Sequence, residues 1–175
     1  MKRSDINPMP QYFDRYINLV EDIELDQAFL KSLQQLNSLD INLLSQLKDK
    51  RYLPDKWTVN DIIQHIADIE RILCAGVLRF ARNESKYVIS FNEDGFAKNS
   101  NANNKKITEL INELICVRNS TISLYKNFEP TDYSKTGINW KYQINVLAMG
   151  FNIIGHQIHH INFIEDKYYP LLSKK

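Results

Sequence analysis

A chain of 175 residues with 22 Lys/Arg against 21 Asp/Glu, formal net charge +1, can bury one sizeable core and carries no electrostatic footprint for nucleic acid or a membrane surface. With only 5 Gly and 5 Pro it is a poor candidate for a turn-rich β-sandwich, and no Pro/Gly/Ser-rich linker divides it. No stretch approaches the roughly 20 apolar residues of a membrane span, so the expectation is a single-domain, soluble cytoplasmic protein acting on a small-molecule substrate, with a homodimer left open.

After a polar, Pro-containing start, the aromatic segment 12–20 reads as a helical turn or two packed across a larger bundle. Between residues 26 and 47, Phe29, Leu30, Leu33, Leu36, Leu39, Leu43, Leu44 and Leu47 recur at three-and-four spacing, which predicts a long amphipathic helix with Asn37-Ser38 or Asp40 as its weak point. Residues 50–56 connect to a second helix. Its start is marked by Thr58, which can accept from the third residue on, by Asp61, which can reach back, and by Trp57, which can staple onto Ile62. That helix is expected to reach about Arg82. Residues 83–104 are polar and read as a long loop, a kind of segment that is often functional in a compact domain. A third helix spans the apolar repeat from Ile107 to Tyr125 and stops before Glu129-Pro130. Residues 131–141 read as irregular, and a fourth helix runs from Val146 to the neighbourhood of Tyr168. Four amphipathic helices without an alternating strand pair predict an all-α, up-down four-helix bundle with a short extra N-terminal helical segment and long loops. Cys74 and Cys116 each sit inside an apolar helical pattern, which fits small buried hydrophobes better than a disulfide.

The four histidines are His65 and a run of His156, His159 and His160. Imidazole is the commonest transition-metal ligand, and a pair four apart presents both rings on one side of a helix. With about 100° per residue, His160 falls about 75° and His156 about 115° from the centre of the fourth helix's apolar stripe, while His159 lies about 175° away, toward solvent. On the second helix His65 falls about 80° from the stripe's centre. Three rim imidazoles can converge between neighbouring helices and leave a fourth coordination position open. Taken singly, each is equally explained as an amphipathic rim residue, and spacing alone leaves the metal question open.

The stretches Lys56-Trp57-Thr58-Val59, His65-Ile66-Ala67-Asp68-Ile69-Glu70-Arg71-Ile72, Leu78-Arg79-Phe80-Ala81-Arg82-Asn83, Phe91-Asn92-Glu93-Asp94 and Gly155-His156-Gln157-Ile158-His159-His160 follow one another in an order and spacing that resemble the DinB-like superfamily, in particular its metal-dependent hydrolase branch. The likeness covers roughly residues 12–169. It implies a four-helix bundle holding one divalent metal through His65, His156 and His160, with zinc or nickel foremost and manganese or iron as alternatives. Members of the family look like hydrolases in some cases and like S-transferases using a low-molecular-weight thiol co-substrate in others. Two departures bear on activity: Gln157 stands where the family often has Glu, and Ala75-Gly76 where it often has an aromatic-Arg pair.

The function this supports is a metal-dependent enzyme that activates water or a thiol. Asp68, one turn beyond His65 and about 60° around the helix, and Glu93, on the long loop beside Asp94, are the candidate general bases. Arg79, about 40° around from His65, is the candidate holder of a co-substrate carboxylate. Glu70 is expected to pair with Arg118 or Arg79. Trp57, Trp140, Tyr142 and Phe91 could wall a pocket or serve as ordinary core and staple residues. The alternative is a non-catalytic or degenerate module acting in structure or partner interaction.

Overall fold

The computed structural model describes residues 1–47 and 49–173. In chain order its elements are α1 (Asp14–Ile17), α2 (Leu25–Asn37), α3 (Ile41–Leu47), α4 (Val59–Ala81), β1 (Val88–Ile89), α5 (Glu93–Asn99), α6 (Ile107–Lys126), β2 (Thr136–Asn139), β3 (Tyr142–Asn145) and α7 (Val146–Lys167). The expected helix over 26–47 breaks between α2 and α3, where the Asp40 carboxylate accepts from the Leu43 amide at 2.9 Å and caps the new helix. The expected start of α4 is present in full: Asp61 N donates to Thr58 Oγ1 at 3.1 Å and Thr58 N to Asp61 Oδ2 at 2.9 Å.

The four long helices α2, α4, α6 and α7 form the bundle, with α4 packed on α6 and α7, and α2 packed on the same two. Chain direction follows from the cross-links. Asn60 bonds the carbonyls of Ala102 and Lys105 just before α6, Arg71 meets Glu113 at 2.6 Å, and Cys74 meets Thr121 at 3.1 Å, so α4 and α6 run parallel. Helices α2 and α7 also run together, since Leu25 abuts Gly150 while Ser32 and Gln35 meet Gln157. The bundle therefore goes up, down, down, up rather than alternating along the chain. Parallel neighbours cannot be joined by a tight turn. The 23 residues of α4 rise about 35 Å, and the segment after it must travel that length back before α6 can start.

That return path corrects the expectation of a structureless loop over 83–104. It lays β1 against the far half of α4 and then forms α5, whose N-cap Asn92 accepts from the Gly95 amide at 3.0 Å. A second correction concerns strands. β2 and β3 form an antiparallel hairpin with Ile138 opposite Gln143, and β1 joins it in parallel with Val88 opposite Ile138. Gly137 admits this sheet, since a Cβ there would lie 1.9 Å from the Phe80 ring. Gly76 faces Ile89 of β1 in the same way, and Ala75 is exposed. Both cysteines are free; Cys74 is partly buried, but Cys116 is exposed rather than a core residue.

Two apolar clusters fill the bundle, one around Phe29, Phe80 and Phe151 and one around Leu47, Ile62 and Tyr168. On α4 the boundary falls between Ala67 and Ile69, and on α7 between Ile154 and Ile161. A layer of polar side chains occupies this waist. Among the described residues no helix is long and apolar enough to cross a membrane.

Candidate metal centre

His65 enters the waist from α4, while His156 and His160 enter it from successive turns of α7. His65 Nε2 lies 3.2 Å from His156 Nε2, and His160 Nε2 lies 3.1 Å from the same atom. All three donor nitrogens fall within 4.8 Å of one another. His65 and His156 are buried, His160 is partly buried, and His159 points outward. Burial, reinforced for His156 and His160 by the neighbouring imidazoles, pushes His65 down to about 4, His160 down to about 2 and His156 well below the ordinary histidine value. Near neutral pH all three rings are uncharged.

The arrangement fits a metal better than it fits hydrogen bonding alone. One ring nitrogen offers one proton or one lone pair, so His156 Nε2 can serve one of its two imidazole neighbours, not both. A tetrahedral ion with bonds of about 2.0–2.1 Å would set its donor nitrogens about 3.3 Å apart, close to the two short separations seen here. The donor set of three neutral imidazoles suits zinc, nickel or iron, and an open fourth position is the feature of a catalytic rather than a structural site.

Two cavities of about 300 Å³ each reach the imidazoles. The His160 cavity is walled by Trp57, Phe163 and Tyr168 and carries Asp94 at its edge. Trp57 lies over His65 with ring centres 4.8 Å apart and is held by the Tyr168 hydroxyl, which donates to its carbonyl. The His156 cavity is walled by Phe91, Trp140, Ile69 and Leu73 and includes Glu93, Arg15, Tyr16 and Asn152. Of the remaining aromatics, Tyr142 stacks on Tyr12, 5.8 Å away, at the edge of this cavity.

The carboxylates and the arginine singled out from the sequence separate here. Glu93 stands exposed at the mouth of the His156 cavity. Asp68 faces the other seam of α4, accepting from Gln64 Nε2 at 2.9 Å and lying 3.6 Å from Arg71; burial raises its pKa. Arg79 lies 14 residues beyond His65, about 21 Å along the axis, where it grips both oxygens of Glu84 at 2.8 Å and covers the Tyr87 ring. Neither Asp68 nor Arg79 lines a cavity that reaches the histidines.

Gln157 points away from the site. Its Nε2 donates to the Ser32 carbonyl at 3.0 Å and to Gln35 Oε1 at 2.9 Å, so this side chain engages α2 and not the imidazoles.

Sequence reasoning missed Arg15, Tyr16 and Asn152. The first two reach the site because α1 packs directly on α7, with the Tyr16 ring 5.4 Å from that of His156. Gly155 permits this approach: a Cβ there would fall 2.0 Å from the Tyr16 carbonyl oxygen. Asn152 carried a usable signal, since it precedes His156 by four residues and stands in the same row on the helix.

The family model of the DinB superfamily matches residues 14–164. The chain belongs to the DinB superfamily. Its fold is similar to that of YfiT from Bacillus subtilis, described as a probable metal-dependent hydrolase with an unusual four-helix bundle topology, at a TM-score of 0.68 and 15% identity over 91% of this chain and 87% of that one. No curated protein matches the chain in sequence.

Proposed function

We propose that His65, His156 and His160 hold one divalent transition metal, zinc or nickel foremost, and that the protein is a metal-dependent hydrolase. The observation that carries this reading is the convergence of three imidazole nitrogens within 4.8 Å of one another, with His160 lining one cavity and His156 another. Such an ion, when bound by neutral ligands, keeps most of its +2 charge and supplies a water molecule acidic enough to ionise near neutral pH. Membership of the superfamily and the likeness to YfiT support the reading.

The protein's own residues would divide the work. Glu93, which lines the His156 cavity, would take a proton there, and Asp94, which lines the His160 cavity, would serve on that side. Phe91, Trp140 and Trp57 would exclude water from the reacting group. The second cavity favours one alternative, a two-substrate transfer in which a low-molecular-weight thiol occupies one side and its electrophile the other.

Elemental analysis of purified variants tests the ligand set. His160→Ala should lose stoichiometric metal while the outward-facing His159→Ala keeps it, and equal metal content in the two would defeat the assignment. Turnover of simple esters and amides by the metal-loaded protein without added thiol selects hydrolysis; turnover only with thiol selects transfer.

A further inference from the structure

One cation lines the His156 cavity, and it is held in place without a counter-charge. The Arg15 guanidinium carbon lies 3.9 Å from the centre of the Tyr12 ring and 4.6 Å from that of Tyr16, so both rings attract the same positive group. One of its terminal nitrogens donates to the Tyr16 hydroxyl at 3.0 Å. Arg15 makes no ion pair with Glu93, the other charged residue of the lining, or with any other carboxylate among the described residues. A guanidinium carries five N–H donors, and this single bond to Tyr16 leaves most of them unused.

The neighbouring rings fix this geometry. Tyr12 adopts a left-handed backbone conformation, with φ of 70°, which is strained for an aromatic residue. Its ring lies nearly parallel to that of Tyr142 at 5.8 Å and meets Trp140 at 5.1 Å. On the other side of the guanidinium, the Tyr16 ring packs edge-on against His156 at 5.4 Å, so the cation stands two ring contacts from a metal ligand. The Tyr16 oxygen accepts from Arg15, while its own proton has no acceptor among the described residues.

We infer that Arg15 and Tyr16 form a carboxylate-binding subsite, and that the substrate of the metal centre is a small ester or amide with a free carboxylate and an apolar body. A carboxylate has two oxygens to satisfy, and Arg15 N–H groups beside a Tyr16 O–H offer donors to both. With Glu93 in the same lining, a planar monoanion fits better than a dianion such as a phosphate monoester. Phe91, Trp140, Ile69 and Leu73 would enclose the apolar body, and a cavity of about 300 Å³ limits it to a small molecule. The assignment rests on the hydrolytic reading proposed above for the same site. Under that reading water adds across the acyl bond, OH to the acyl carbon and H to the leaving nitrogen or oxygen, with no further co-reactant.

The test uses the full-length, 15N-labelled protein as purified, with phenylacetate and phenylacetamide, which differ in charge and hardly in shape. Phenylacetate should shift the Arg15 Nε–H resonance saturably and bind about tenfold tighter than phenylacetamide, the ratio expected for a hydrogen bond to a charged group. Tyr16→Phe should weaken the preference and Arg15→Gln should abolish it. Equal affinity of the two probes for the wild type, or binding of neither, overturns the inference without need of any variant. A preference that survives in a folded Arg15→Gln overturns it too, since the carboxylate would then be held elsewhere. Metal content is measured on the same samples: a wild type that takes up no metal defeats the hydrolytic reading, whereas the probes report on the carboxylate subsite alone.

Discussion

The polar waist of the bundle contains an ion pair whose removal has a calculable cost. Arg118 is 0% exposed and Glu70 2%, and the two meet in a bidentate contact, Nε and one terminal nitrogen each donating to a carboxylate oxygen at 2.8 Å. Glu70→Leu would leave the guanidinium buried with Ser32 as its remaining side-chain partner, an uncompensated charge that costs about 3–5 kcal/mol. For a protein of this size each kcal/mol moves the melting temperature by about 2–4 °C, so the single variant should melt roughly 6–20 °C lower. Glu70→Leu combined with Arg118→Met should recover most of that loss. The two hydroxyls that served the pair already have other acceptors, Ser32 donating to the Phe29 carbonyl at 2.7 Å and Thr121 within 3.1 Å of the Val117 carbonyl. Removing both charges therefore orphans neither hydroxyl. Urea denaturation of the wild type, both single variants and the double variant completes the cycle. A loss below about 1 kcal/mol in the singles would mean that the pair is not desolvated, and a double variant as unstable as the sum of the singles would mean that the two side chains are not coupled; either result would refute the reasoning.

Gly155→Ala should separate the N-terminal segment from the metal centre. Alanine in a helix interior ordinarily gains about 0.5–1 kcal/mol over glycine, but here the new Cβ would collide with the backbone of Tyr16, and the overpacking, about 1–3 kcal/mol before that gain is subtracted, should outweigh it. Faster tryptic cleavage at Arg15 with unchanged metal content is the expected result, and unaltered cleavage would refute the packing argument. Burial also pushes the Cys74 thiol up to about 12 from its ordinary 9.0, so above pH 9 the unfolded chain releases a proton that the fold retains, and stability should fall as pH rises from 9 toward 12. Cys74→Ala should flatten that decline. In the native protein at pH 8, thiol reagents should modify the exposed Cys116 and spare Cys74, which titration of thiols before and after denaturation would check.

The parts of this structure that were legible in the sequence share one property: they repeat with the helix. The apolar spacing located α2, α4, α6 and α7, and the same periodicity turned His156 and His160 to the rim that faces His65. What escaped is set by contacts between segments far apart in the chain. The direction of α6 relative to α4 leaves no periodic trace, so the residues between them read as slack instead of as a return path. The β2–β3 hairpin was invisible because its turn carries Trp140-Lys141 where Gly or Asn would announce it, and β1 pairs with a strand about fifty residues away.

The fate of Arg79 and Asp68 shows why an angle around a helix is an incomplete coordinate. Arg79 shares a direction with His65 to within about 40°, yet 14 residues carry it about 21 Å along the axis, where it engages Glu84 and Tyr87 and lines neither cavity at the histidines. Asp68 is close along the axis, but about 60° of rotation suffices to turn it from the α7 seam to the α6 seam, where Gln64 and Arg71 engage it. A side chain joins a site on a helix only when both separations are small. Asn152 satisfies that condition, being one turn from His156 and in its row; it went unnoticed because a lone asparagine belongs to neither the apolar stripe nor the set of metal-ligand residue types that drew attention to its neighbours. The same two-coordinate test sets Gln157 aside, since it is adjacent to His156 along the chain but rotated by about 100°, enough to place it on α2. A change at that position is consequently a change in how α2 packs, and it does not count against an intact metal centre.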